Sequence, residues 1–164
     1  MGYFGTFDIS ASGLTAQRLR MDLIANNVAH INTTRTGALT PGGNQIPYSR
    51  QVATFMVRRP MNSFADIFTA ALGRKYLGNG VEVVNIRGIT NEEDPFRLEY
   101  DPTSPDAITV AEPGLPVGYV RKPNVNIVAE MVDMISASRA YEANVTVLNV
   151  SKAMMSKTLE IGKG

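Results

Sequence analysis

Asn124 to Gly162 reads NVNIVAEMVDMISASRAYEANVTVLNVSKAMMSKTLEIG, and this stretch decides the fold. It contains no proline, and no glycine before Gly162. Those two residues are the strongest breakers of regular structure, glycine through backbone entropy and proline through its missing N–H. Ile127, Met134, Tyr141, Leu148 and Met155 recur every seven residues. Four residues after each stand Met131, Ser138, Val145, Lys152 and Leu159, three of them apolar. A sustained seven-residue apolar period marks a helix laid against another helix. Pro123 followed by Asn124 predicts the start, with Asn124 as N-cap, and Gly162 predicts the stop. An ideal helix from Val125 to Ile161 is about 55 Å long.

The balance of residue types along this helix points beyond a simple hairpin. Of the 37 residues from Val125 to Ile161, 21 are hydrophobic and seven are charged. Val128, Val132, Ile135, Val147, Val150 and Met154 lie off the main stripe and point to other faces. A helix that is apolar over much of its circumference has to be buried on more than one side. One shorter helix of the same chain does not provide that. Either the central region wraps around it or further copies of the chain do. Asn26, Asn27, Asn144 and Asn149 suit the second arrangement, because amides on packed helices fix register by hydrogen bonding at some cost in stability. Self-assembly is therefore expected, with a plain intrachain hairpin as the alternative.

The N-terminal end mirrors the C-terminal one. Leu14 to Thr36 has neither glycine nor proline, and Phe7, Leu14, Met21 and Val28 again recur at a spacing of seven, with Ile24 and Ile31 beside them. Asp8 or Ser10 is the expected cap, and the helix is expected to stop near Asn32-Thr33-Thr34. All nine prolines fall between Pro41 and Pro123, so the centre is turn-rich. Within it, Tyr48–Arg58, Val81–Ile89 and Phe96–Tyr100 alternate and are rich in strand formers. Gly78-Asn79-Gly80 is a turn signal, and Asn62 to Arg74 reads either as a helical turn or two or as a loop. The expected class is α+β. Long N- and C-terminal helices pack as a coiled-coil-like pair, with a small antiparallel β domain inserted between them. The corresponding segments are 1–36, 37–123 and 124–164.

Little in the chain offers chemistry. Sixteen Lys and Arg balance fifteen Asp and Glu over 164 residues, for a net charge of +1. Nucleic-acid binding calls for a basic excess that is missing, so no nucleic-acid partner is expected. Cysteine is absent, which removes disulfides, thiolate metal sites and cysteine nucleophiles together. His30 is the single histidine and has no second nitrogen or sulfur ligand; a local hydrogen bond at the helix end is its expected role. Glu92-Glu93-Asp94 lacks the alternation of a calcium loop and reads as a solvated turn. Asp101 and Asp106 sit among prolines as turn residues, and Arg58-Arg59 and Arg121-Lys122 read as protection of strand edges. No catalytic constellation, cofactor or metal is expected. No run of 18 apolar residues and no basic-then-apolar leader is present, so neither membrane insertion nor a cleaved signal peptide is expected.

Both ends resemble one family. AQRLRMDLIANNVAHINTTRT, from Ala16 to Thr36, resembles the N-terminal signature of the flagellar rod, hook and hook-filament-junction proteins. Ala25, Asn26, Asn27, Ala29, Asn32 and Thr33 match its A-N-N-x-A-N-x-N-T pattern, with His30 standing where the family usually has Asn. EMVDMISASRAYEANVTVLNVSKAMMSKTLEIG, from Glu130 to Gly162, resembles the matching C-terminal signature. The opening FDISASGLTAQRLRMD, the stretch YVRKPNVN and the short length are most similar to the proximal rod members. The resemblance implies a structural subunit of the bacterial basal-body rod, whose terminal helices assemble helically around an export channel and transmit torque. It implies as partners other copies of the chain, other rod proteins, the protein joining rod to membrane ring, and the flagellar type III export apparatus. The expected location is the rod, spanning the periplasm or cell wall. The expected assembly residues are Leu14, Met21, Ile24, Asn26, Asn27, Val28, Ile31 and Asn32 at one end. At the other they are Ile127, Met131, Met134, Tyr141, Asn144, Val145, Leu148, Met155 and Leu159. Another short axial protein of the family, or an export chaperone presenting apolar helices, is the alternative.

Overall fold

The computed structural model describes residues 3–58, 68, 80–90, 93 and 95–162. The elements follow in the order α1 (Tyr3–Ala29), β1 (Gln51–Val57), β2 (Val81–Gly88), β3 (Arg97–Tyr100), β4 (Tyr119–Lys122) and α2 (Ile127–Ile161). The class is α+β, with two long helices at the ends and two small antiparallel sheets between them. No helix among the described residues is long and apolar enough to cross a membrane. The stretch Asn62 to Arg74, apart from Phe68, lies outside the described residues, as do Gly78, Asn79, Arg59, Glu92 and Asp94.

α1 differs from expectation at both ends. It begins at Tyr3, ahead of Asp8 and Ser10, so neither caps it, and Ser10 is buried within the helix. The helix runs through Gly5 and Gly13 although each glycine costs about 1 kcal/mol against alanine. Gly13 shows why tertiary packing overrides that cost. A Cβ there would lie 3.2 Å from the Asn144 amide, so this turn of α1 stays slim where α2 comes close. At the other end α1 stops at Ala29, three residues before Asn32. Its last carbonyls are taken up by tighter turns, Ile31 N donating to Val28 O at 3.3 Å and Thr33 N to His30 O at 3.0 Å.

The rows of deepest burial are not the heptad rows that stand out in the sequence. On α1, Ala16, Leu23, Ile24 and Asn27 are buried, whereas Phe7, Leu14, Met21 and Val28 are half-buried. On α2, Glu130 and Ala137 are fully buried, and Asn144 and Ser151 continue that row half-buried. This row runs beside Met134, Tyr141, Leu148 and Met155, which are half-buried, while Met131, Lys152 and Leu159 of the expected companion row are exposed. At Gly13 the missing side chain makes room for Asn144, and Ala16 and Ala137 are small, whereas Leu23, Ile24, Asn27 and Glu130 are buried as full-sized side chains. Gly13 meets Asn144, and Asn27 meets Glu130, so the two contacts lie fourteen residues apart on each helix and run in opposite order.

β1 and β2 form one two-stranded sheet, bracketed by Arg58 N donating to Gly80 O at 2.9 Å and Ile89 N to Arg50 O at 2.8 Å. The expected boundaries of both strands hold to within about three residues. Gly80 opens β2 with φ +109°, a conformation that favours glycine, and a Cβ there would run into the Ser12 hydroxyl. That hydroxyl accepts from Val81 N at 3.0 Å and so ties the start of β2 to α1. β3 pairs antiparallel with β4, from Arg97 opposite Lys122 to Tyr100 opposite Tyr119. β4 was not legible as a strand, because four residues between turns carry too little alternation.

The chain divides into two compact units. One is built from Met1–Met21, Ala53–Asn85 and Ile135–Gly164, the other from Asp22–Val52 and Ile86–Met134. The second unit holds Leu23, Ile24, Tyr48, Ile108, Val120 and Val125 in its core. In the first, Ala16 and Ala137 are the buried apolar residues among those described.

Candidate assembly surface

The start of α2 sets the geometry of this surface. Asn126, not Asn124, is the N-cap: its Oδ1 accepts from Val128 N at 3.0 Å and Ala129 N at 3.4 Å. Asn124 is buried, and its Oδ1 accepts from Arg50 N at 2.9 Å. Pro123 and Val125 are buried on either side of it, which anchors the strand-to-helix connection and delays the helix by two residues. The stop is as expected, with Gly162 N donating to Thr158 O.

Inward of this start lies a polar cluster within the second unit. Asn27 is 1 % exposed and Glu130 is 0 % exposed. The Asn27 amide donates to Glu130 Oε2 at 3.1 Å and to Gln51 O at 3.0 Å. Its Oδ1 accepts from Gln51 N and from the Tyr48 hydroxyl, both at 2.9 Å. Arg50 Nε donates to Glu130 Oε1 at 2.5 Å, and Arg50 Nη2 to Asp133 Oδ2 at 3.2 Å. Asn26 Nδ2 donates to the Tyr48 hydroxyl at 3.1 Å. Burial raises the pKa of that hydroxyl, the Asn26 bond opposes the rise and the Glu130 charge adds to it. His30 Nδ1 is hydrogen-bonded to Thr33 Oγ1 at 3.1 Å and its ring stacks on that of Tyr48 at 4.7 Å, the local role expected of it.

Outward, α2 is apolar and uncovered. Ile127, Val128, Met131, Val132 and Ile135 are 46–66 % exposed, and Val147, Val150, Met154, Leu159 and Ile161 are 47–80 % exposed. Of the residues expected to mediate assembly, Ile127, Met131, Leu159 and Asn32 therefore lie on the surface. Leu14, Met21, Asn26, Val28, Ile31, Met134, Tyr141, Asn144, Val145, Leu148 and Met155 are half-buried, and Ile24 and Asn27 are buried. Asn144 spends one amide hydrogen on Ala140 O at 2.9 Å. An open cleft of about 410 Å³ adjoins the helix start, lined by Ile31, Arg97 and the segment 124–127.

Several polar residues carry more structure than their sequence context suggests. Arg121 is not edge protection: it is buried, its Nη2 donates to Gln45 O at 2.5 Å, and its guanidinium lies 6.0 Å from the Phe96 ring centre. Asp106 is more than a turn residue, since it accepts from Thr34 Oγ1 at 2.6 Å and pairs with Arg35. Those partners, the Thr34 bond first, hold its carboxyl below the usual range. Glu112 Oε1 accepts from Thr40 Oγ1, Gly42 N and Asn44 Nδ2, which likewise lowers its pKa, Thr40 most. Asp101 bonds to Thr103 as a turn residue, and Glu93 to Arg87 at 2.7 and 2.8 Å. No group of three metal-ligating side chains occurs among the described residues. The arrangement offers adhesion and rigidity.

Two family models match the chain in these same regions. Flagella basal body rod protein matches residues 7–35, and flagellar basal body rod FlgEFG protein C-terminal matches residues 117–161. The flagellar basal-body rod protein FlgC of Borreliella burgdorferi is 46 % identical, with the whole of both chains covered. FlgC of Bacillus subtilis is 44 % identical over 99 % of this chain and all of its own. FlgC of Aquifex aeolicus is 34 % identical over 99 % of each. This chain belongs to the FlgC family of flagellar basal-body rod proteins. It is a structural rod subunit, and the family is one of structural proteins. The two family-model matches fall on the ends of the chain, on α1 with its following turn and on β4 with α2.

Proposed function

We propose that this FlgC-family subunit joins the rod through the outward apolar face of α2. The observation that carries this reading is the exposure of ten large apolar side chains along a single helix. Water-exposed apolar surface on that scale favours association at roughly 25 cal/mol per Å² removed from water. Segments 1–36 and 124–164 are the assembling parts, and 37–123 lies outside them. Contacts of one face with a different face on the next copy repeat without closing and generate a helical tube. In that tube the terminal helices surround an export channel, and torque passes through their buried contacts. Leu14, Met21, Ile24, Val28, Met134, Tyr141, Leu148 and Met155 hold the helices in shape; Ile127, Met131 and Leu159 touch neighbours. The partners are further copies of this chain, other rod subunits, the protein joining rod to membrane ring, and the flagellar type III export apparatus, which delivers the chain without a cleaved signal. The rod so built spans the periplasm or cell wall.

Val132→Glu and Val150→Glu test this reading, because both side chains are exposed and their loss leaves the core intact. In a strain lacking the native gene, each variant should be made and folded, with unchanged helical circular dichroism, yet fail to restore motility. Electron microscopy of basal bodies should show rod growth arrested. Normal swimming with both variants overturns the proposal.

A further inference from the structure

We propose that the assembled rod covers the second half of α2 on one flank, at Val147, Val150 and Met154, and leaves in water the row opposite α1, at Arg139, Glu142, Thr146, Asn149 and Glu160. The inference rests on the reading of α2 as the assembling helix and divides its outward surface into a covered part and an uncovered one. The occupant of the flank is a terminal helix of a neighbouring rod subunit.

All the residues concerned lie in the first compact unit. There Ala137 is fully buried, Asn144 meets α1 at Gly13, and Ser151 continues this inner row half-buried. Successive residues of an α-helix are turned by about 100°. That rotation sets Arg139, Glu142, Thr146, Asn149, Ala153 and Glu160 on the side opposite the inner row, and all of them are exposed. Ala153 is the one apolar member. The charges nearly cancel, because Arg139 stands against Glu142 and Lys157 Nζ pairs with Glu160 Oε2 at 2.8 Å.

Val147, Val150, Met154 and Ile161 are exposed as well, but turned by about 90° from that strip, between it and the inner row. Exposed Ala143 precedes them, and the apolar line from Ala143 to Ile161 reaches about 27 Å along the helix. The other flank supplies no such line, since exposed Leu159 there follows exposed Lys152. An apolar line of this length fits the stripe of a second helix, the kind of stripe that α1 and α2 themselves carry. A helix seated there leaves the contact of Asn144 with Gly13 undisturbed, because it approaches from the side. Taking the flank out of water is favourable in proportion to its apolar area. Taking the strip out of water would desolvate a guanidinium, two carboxylates and the Asn149 amide, which is costly unless each meets a partner. The neighbour therefore settles on the flank.

The chain contains no cysteine, so single replacements report each position alone. Thr146→Cys, Asn149→Cys, Val150→Cys and Met154→Cys are each supplied as the only copy of the gene, and purified basal bodies are treated with a small hydrophilic maleimide. Thiols at the first two positions should react at close to their rate in denatured protein. Those at the last two should react roughly ten-fold or more slowly, because a covered thiol is shielded from the reagent. Protected thiols at Thr146→Cys and Asn149→Cys overturn the inference. A charge scan keeps it testable if a cysteine variant fails to assemble: Thr146→Lys and Asn149→Glu should restore swimming, whereas Met154→Glu should not. Loss of swimming with the first two, at unchanged helical circular dichroism, overturns the inference and leaves α2 as the assembling helix. Normal swimming with Met154→Glu overturns the flank, and normal swimming with Val132→Glu and Val150→Glu as well removes the assembly reading beneath it. A benzophenone side chain placed at Met154 should couple, on illumination, to a helix of another rod subunit or copy identified by mass spectrometry. Coupling to a protein outside the rod overturns the choice of occupant.

Discussion

The Asn27 amide and the Glu130 carboxylate meet at 3.1 Å, 103 residues apart in the chain and both shut off from water. Glu130→Ala would leave Arg50 Nε and one Asn27 hydrogen without their partner, with Arg50 keeping only Asp133. Removing one member of a buried ion pair costs about 3–5 kcal/mol. Urea unfolding of Glu130→Ala should show a loss of that order, and a loss of a few tenths would show that the pair is solvated.

The cap of α2 is assigned to Asn126, two residues after the position that the sequence favours. Asn126→Ala should lower stability by about 1 kcal/mol, the usual effect of removing an N-cap. Asn126→Ser should restore most of it. Asn124→Ala should cost a comparable amount through a different loss, the bond from Arg50 N, and serine should not rescue it, because its shorter side chain falls short of that amide. Thermal melts of the four variants separate the two roles.

Gly80 combines a positive φ with a close approach to Ser12. Gly80→Ala should therefore destabilise the chain by more than about 1 kcal/mol. Chemical denaturation of Gly80→Ala against the parent checks this.

Acid should weaken the second unit through two carboxylates. The bond from Thr34, and then Arg35, lowers the pKa of Asp106 from 3.8; bonds from Thr40, then Asn44 and Gly42 N, lower that of Glu112 from 4.5. A carboxylate whose folded pKa is depressed contributes stability above its unfolded pKa and loses it as pH falls through the folded value. Stability should thus decline as pH drops below 4.5 and continue to fall below 3.8. Glu112→Gln should flatten the first part of that decline and Asp106→Asn the second, as followed by urea midpoints at successive pH values.

The breaker-free ends, the seven-residue apolar period and the positions of β1, β2 and β3, though not of β4, are legible from the sequence, because backbone preference and periodicity act over neighbours. They fix two long helices around a β-rich centre, and the surplus of apolar residues on the last helix already implies more than one covered side. The sequence did not determine which row of each helix goes inward. A helix apolar on most faces has no single preferred face, and only the tertiary contacts put Ala16, Leu23, Ile24 and Asn27 of α1 and Glu130 and Ala137 of α2 inward. Nor did it assign the polar residues. Glu130, Arg121 and Asp106 look like ordinary solvated or turn residues until partners 72 to 103 positions away are brought to them. Burying a charge is favourable only when those partners are in place, and only the tertiary structure puts them there.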